Sequence, residues 1–141
     1  MPFQLESFLP YLLNQAAEAV SADFKQSYRD RYGMLRTEWR VLFHLGVYGQ
    51  MTAKGICEKA TIHKTKISRA VTALEKKRYI TKKVASHDRR IEHLNLTDLG
   101  EEVFFNLRKS AEEYETKVTE DLDDEELTQL KYLLGRLLVS R

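Results

Sequence analysis

Residues 60–96 read ATIHKTKISRAVTALEKKRYITKKVASHDRRIEHLNL, and this stretch decides the fold. Over residues 63–77 the apolar side chains of Ile67, Ala70, Val71 and Leu74 fall on one stripe at helical spacing. Lys64, Thr65, Lys66, Ser68, Arg69, Thr72 and Lys76 take the rest of the circumference, so the stripe anchors a helix whose polar face is free. Residues 79–84 and 91–96 then show the shorter, β-branched, alternating character of strands, and the polar segment 85–90 between them suits a hairpin tip. The pattern predicts a helix joined at once to a two-strand hairpin.

On the N-terminal side, Leu9, Leu13, Ala16, Val20, Phe24 and Tyr28 recur at three- and four-residue intervals. They predict a long first helix with Ser7 as N-cap, Pro10 tolerated in its first turn, and an end near Gly33. Thr37 offers a cap for a second helix carrying Trp39, Leu42, Phe43 and Leu45, closed by Gly46 and Gly49. Thr52 caps a short third helix over 53–59, with Ile56 and Cys57 facing a core. Beyond the hairpin, Thr97 and Asp98 precede a fifth helix marked by Leu99, Val103, Leu107, Ala111, Tyr114 and Val118. Asp123 with Glu126 forms a capping-box-like start to a sixth, whose Leu127, Leu130, Leu134 and Leu137 have coiled-coil-like spacing. The expected class is mainly α (α+β), six helices and one β-hairpin in a single domain over 1–141, with no linker or internal repeat.

The chain has the size of one ordinary domain at 141 residues, and its 43% hydrophobic content argues against disorder. No apolar run approaches the roughly 20 residues needed to span a bilayer, so no membrane partner is expected. The start MPFQLESF has no basic segment ahead of an apolar one, which makes the cytoplasm the expected location. Cys57 is the single cysteine, so no intrachain disulfide framework exists.

The formal net charge of +2 conceals a lopsided distribution. Residues 61–93 carry ten Lys or Arg against three Asp or Glu, a net of +7; residues 1–60 net +1 (seven against six) and residues 94–141 net −6 (six against twelve). A charge run usually marks only a solvated face. Concentrated on one module, however, it steers polyanions and contributes salt-sensitive affinity for phosphates.

Helix three, a turn around 60–62 and helix four have the lengths of a helix-turn-helix, whose second helix lies in the DNA major groove with its N-terminal residues at base edges. Here those residues are His63, Lys64, Thr65 and Lys66, with Ser68 and Arg69 one turn on. Arg and Lys can bond guanine O6 and N7, and hydroxyls can serve bases or phosphates. A helix with an adjoining hairpin can reach both the major groove and the narrow minor groove beside it.

Asp88-Arg89-Arg90 followed by Leu94-Asn95-Leu96-Thr97-Asp98-Leu99-Gly100 resembles the wing signature, Asp-x-Arg and then Leu-Thr-x-x-Gly, of the multiple antibiotic resistance regulator (MarR) family of bacterial winged-helix transcription factors. Glu38-Trp39-Arg40-Val41-Leu42, Thr65-Lys66-Ile67-Ser68-Arg69 and Leu74-Glu75-Lys76-Lys77 are supporting matches, and the resemblance covers essentially the whole chain. It implies a winged helix-turn-helix over 35–97, flanked by dimerisation helices over 1–34 and 98–141. It further implies that Arg90 enters the minor groove and that Asp88 orients it, with Arg89 divided between DNA contact and bare exposure. The family often has glycine where Arg78 follows the recognition helix; the usual left-handed terminator is thus missing, and Arg78 is left as a possible phosphate contact.

The resemblance also implies a homodimer on an inverted-repeat operator in double-stranded DNA, acting as a repressor released by a small, aromatic anionic effector. The apolar series from Leu127 to Leu138 independently asks for cover. Effector-site candidates are Tyr11, Phe24, Tyr28, Arg36, Trp39, Arg40 and His44, the arginines first because a buried Arg needs an anionic partner. The rival is a redox-responsive regulator sensing oxidants through Cys57, against which stands its place where a small core residue would serve. His44, His63, His87 and His93 are scattered, with only His87 and His93 near one another across the wing, so no metal site is expected. No cofactor loop, nucleophile elbow or zinc-protease pattern occurs, and no enzyme is expected.

Overall fold

The computed structural model describes residues 2–139. Positions 1, 140 and 141, at the outer ends of the two expected dimerisation segments, lie outside the described residues. The element order is α1 (Leu9–Ser21), α2 (Arg36–Tyr48), β1 (Met51–Thr52), α3 (Ala53–Ala60), α4 (Lys64–Lys76), β2 (Ile80–Val84), β3 (Glu92–Leu96), α5 (Asp98–Val118) and α6 (Asp124–Val139). The expected class holds, with a third strand added: the sheet is antiparallel in the order β1-β3-β2. Met51 pairs with Leu94 and Thr52 with His93, a two-residue strand too short to leave an alternating pattern.

The first helix departs from its expected course. Its α-helical part stops at Ser21, and after a turn the chain makes a wider π-helical turn over Gln26–Asp30. Phe24 and Tyr28 are buried there, and the Tyr114 hydroxyl of α5 donates to the Val20 carbonyl near the break. Ser7 is not the N-cap; it lies in a 3₁₀ turn, Leu5–Ser7, its hydroxyl donating to the Gln4 carbonyl at 3.3 Å, while Phe8 occupies the cap without a side-chain bond. Thr37 likewise sits inside α2, which is capped at Leu35. Gly46 does not close α2 but lies within it, where the Phe104 ring would come within 2.5 Å of any Cβ. Only Gly49 closes the helix.

Other local signals act as the sequence indicates. The Thr52 hydroxyl accepts from Gly55 N–H at 3.0 Å at the start of α3. Asp123 and Glu126 exchange backbone-to-carboxylate bonds of 3.0 and 2.8 Å at the start of α6. The stripe Ile67, Ala70, Val71 and Leu74 is buried against Met34, Leu42, Ile56, Leu94 and Leu107, so α4 is seated on the core by one face only. No helix among the described residues is long and apolar enough to cross a membrane.

Candidate nucleic-acid interface

The outward face of α4 is built by its own periodicity. Lys64, Thr65, Lys66, Ser68, Arg69, Thr72 and Lys76 are exposed, and none of these cations makes an ion pair among the described residues. His63 is the N-cap: its Nδ1 accepts the Thr65 N–H at 3.1 Å, which holds the ring at the helix mouth. The preceding turn is tight, with Thr61 in the left-handed region at φ 54° and Ile62 N–H bonded to the Cys57 carbonyl. Cys57 is half-buried against the core.

The helix exit resolves the missing glycine. Arg78 itself takes the left-handed conformation, φ 63°. Its N–H bonds the Glu75 carbonyl at 2.9 Å and Tyr79 N–H bonds the Leu74 carbonyl at 3.0 Å, the pair of bonds that normally accompanies a terminal glycine. The chain therefore turns directly into β2 without the glycine, at a conformational cost of about 1 kcal/mol for a residue with a Cβ. The Arg78 side chain is left exposed.

The Leu-Thr-x-x-Gly motif locks this turn from the other side. The Thr97 hydroxyl donates to the Arg78 carbonyl at 2.6 Å and accepts from Gly100 N–H at 3.0 Å, capping α5, while Thr97 N–H bonds the Tyr79 carbonyl. A Cβ on Gly100 would lie 1.9 Å from that same carbonyl, so only glycine fits. Thr97 and Gly100 stand in the wing signature, but their contact with residues 78 and 79 is tertiary and has no local signal.

At the wing tip Asp88 and Arg90 form a fork. The Asp88 carboxylate accepts from Arg90 Nε at 3.2 Å, from a terminal guanidinium nitrogen at 3.1 Å and from the Arg90 backbone N–H at 3.0 Å. The guanidinium, then the backbone bond, holds the Asp88 carboxyl below the usual range. The Arg90 side chain nevertheless remains 90% exposed. Arg89 is exposed beside it.

The comparisons with known proteins converge on this geometry. A family model described as "MarR family" matches residues 32–91, which hold α2 to the wing tip. A MarR/EmrR family transcriptional regulator from Acinetobacter sp. ADP1 has a similar structure, TM-score 0.87 at 27% identity, covering 98% of this chain and 97% of that one. In its winged module and its overall fold the chain is similar to the MarR family. The helix-turn-helix-type transcriptional regulator YwaE of Bacillus subtilis is 24% identical over 125 residues, 89% of this chain and 73% of that protein. The structure of NadR in complex with 4-hydroxyphenylacetate is similar at TM-score 0.80 and 26% identity, covering 97% of each chain. The Acinetobacter protein and YwaE are regulators of transcription, and this chain resembles them as a winged-helix, DNA-binding type of regulator.

The seven effector-site candidates do not come together in one place. Phe24, Tyr28 and Trp39 belong to a packed aromatic series with Phe43, Phe104 and Tyr114, ring centroids 5.1–5.8 Å apart. Arg40 donates to the Ala60 carbonyl at 3.2 Å, tying α2 to the end of α3, and is pushed below its ordinary value by burial and then by Arg36. The His44 Nδ1 lies 2.6 Å from the Arg40 carbonyl, and Tyr11 accepts from Gln15. Tyr28 and Arg36 do meet, in a cavity of about 510 Å³ whose walls also hold Lys25, Arg29, Leu35 and Glu18. Arg36 pairs with Glu18 there at 3.6 Å. Lys25 and Arg29 line the same wall as Glu18, Ser21, Ala22 and Tyr28, at three- and four-residue intervals along the first helical segment.

Proposed function

We propose that this chain is a homodimeric repressor that reads an inverted-repeat operator. In this reading the winged module (35–97) binds duplex DNA and the segments 1–34 and 98–141 make the dimer. Lys64, Thr65, Lys66, Ser68 and Arg69 meet base edges in the major groove, His63, Arg78 and Arg89 meet phosphates, and Arg90 enters the minor groove, where narrow width concentrates negative potential. The observation that carries it is Arg90, fully presented to solvent yet oriented by three hydrogen bonds to Asp88. An arginine held in place before binding loses less freedom on entering a groove. Asp88 acts there as a partner of the guanidinium.

Dimerisation is supported by α1 and α6, in which no residue is buried although Leu9, Leu12, Leu13, Leu130, Leu133 and Leu134 are apolar and exposed. Soluble chains rarely leave so large an apolar face uncovered. A two-fold dimer would set the two α4 helices about one DNA turn apart.

The effector would occupy the cavity beside Tyr28, with Lys25, Arg29 and Arg36 to neutralise an anion and the Tyr28 ring beside it. The 4-hydroxyphenylacetate held by NadR is a ligand of this chemical kind. The cavity is bounded by the start of α2, and α2 packs along α4, so a ligand favouring a different seat for α2 changes the spacing of the recognition helices.

Fluorescence anisotropy with the duplex upstream of the gene tests this reading. Preference for that duplex over random DNA, an affinity loss of orders of magnitude between about 50 and 200 mM salt, and release by an aromatic acid support it. Equal affinity for both duplexes would falsify it.

A further inference from the structure

Two lysines in the wing, Lys82 and Lys83, are adjacent in β2, and strand alternation sends them to opposite faces of the sheet. Lys82 pairs with Leu94 and Lys83 with His93, so Lys82 shares the face of the buried residues Ile80 and Leu94, turned toward the helices. Its ammonium lies 3.7 Å from a carboxylate oxygen of Glu75 on α4 and 3.6 Å from one of Glu92 on β3. Glu92 is the diagonal cross-strand neighbour, within reach of a long side chain. Lys83 points the other way and has no ion pair among the described residues.

The base of the wing is fixed by Ile80 in the core, but outward from there β2 is exposed. Among the described residues the Glu75–Lys82 pair is the one ion pair or side-chain hydrogen bond joining the wing to α4. Half-exposed pairs of this kind add little stability individually, so their consequence is a constraint on angle. One cation flanked by two carboxylates also leaves a local excess of negative charge, which is poor chemistry for a phosphate contact.

We propose that Lys82 is a positioning residue of the DNA-reading surface: bridging Glu75 on the recognition helix and Glu92 on the wing, it sets the angle between them and hence the separation of Arg69 and Arg90. The outward Lys83 is then a phosphate-binding cation of the wing in addition to Arg89. This rests on the proposal that α4 and the wing touch DNA together.

Anisotropy titrations on the upstream duplex and on random DNA, at several salt concentrations, test it. Lys82→Met should lower the ratio of specific to random affinity about fivefold with an unchanged salt slope, and Lys82→Arg, which can keep both pairs, should restore the ratio. Lys83→Met should weaken both duplexes equally and reduce the salt slope by about one. The double variant Glu75→Gln with Glu92→Gln decides most sharply: simple electrostatics predicts tighter specific binding, whereas loss of the bridge lowers the specific-to-random ratio. A Lys82→Met variant that loses affinity equally on both duplexes, with the slope reduced by about one, would make Lys82 a phosphate contact and overturn the proposal. Absence of any operator preference in the unsubstituted protein would instead remove the DNA reading beneath it.

Discussion

Within the winged module the apolar stripes of α3, α4 and β3 end in one core, where Ile56, Ile67, Leu74 and Leu94 are fully buried. In α1 and α6, leucines recur at the same helical spacing but no residue is fully buried. The difference teaches that an apolar period specifies a buried face without specifying what buries it. The module finds its cover within one chain, whereas the terminal helices leave much of their apolar face exposed. Charge divides along the same line, with the basic residues on the covered module and the acidic ones toward the uncovered end.

The largest effect should come from attacking the uncovered side. Leu130→Asp with Leu133→Asp is expected to convert a dimer into a monomer in sedimentation and to lower operator affinity by about a hundredfold or more, since both half-sites can no longer be engaged together. The thermal transition of the winged module should persist. A wild-type protein that sediments as a monomer at micromolar concentration would break the comparison.

The covered side should fail differently. Gly100→Val drives a side chain into the Tyr79 carbonyl and is expected to cost about 3 kcal/mol of stability in urea unfolding. A loss below about 1 kcal/mol would mean that α5 can shift away from the wing base.

Why some of this was legible and some was not follows from the range of each signal. In the stripe of α4, the Thr52 cap and the Asp123–Glu126 box each residue lies within four positions of the next, and each forms as its pattern indicates. Asp88 and Arg90 pair across two positions, so their bond too was within reach of local reasoning. The interruption of the first helix depends on packing of Phe24 and Tyr28 against distant aromatic rings, and Gly46 is explained by Phe104, 58 positions later. The effector candidates scattered for the same reason: aromatic spacing identified a cluster but could not distinguish a ligand wall from a core.

Of intermediate size is the wing tip. Asp88→Asn keeps the charge of Arg90 but weakens its fork, and operator affinity should fall about threefold with the salt slope unchanged. Because the folded-state value of Asp88 is depressed, its contribution is present above the ordinary carboxyl range and lost only as pH falls through the lowered value. Binding that weakens between pH 8 and 5 through this residue would contradict the pairing.

Arg78→Gly separates two consequences of one residue. Removing the left-handed strain should raise stability by about 0.5–1 kcal/mol. Removing the cation should at the same time lower the salt slope of DNA binding by about one. Greater stability with an unchanged slope would leave Arg78 as a turn residue only.

The smallest effect concerns the only buried charged residue among those described, Glu38, 6% exposed at the start of α2. Burial raises its carboxyl above the ordinary value of 4.5, opposed by a bond from the Leu35 backbone and by the nearby Lys77 charge. A raised folded-state value means the folded protein holds this proton more tightly than the unfolded one. Stability attributable to Glu38 therefore falls as pH climbs from 4.5 through the raised value, and is flat on either side. Glu38→Gln, which keeps an oxygen for the Leu35 N–H, should be neutral at pH 4 and stabilising by less than about 1 kcal/mol at pH 7. The difference between variant and parent isolates the contribution of Glu38. A variant less stable than the parent at pH 7 would show that the Leu35 bond and Lys77 outweigh burial, and that the covered module holds this charge as a tether.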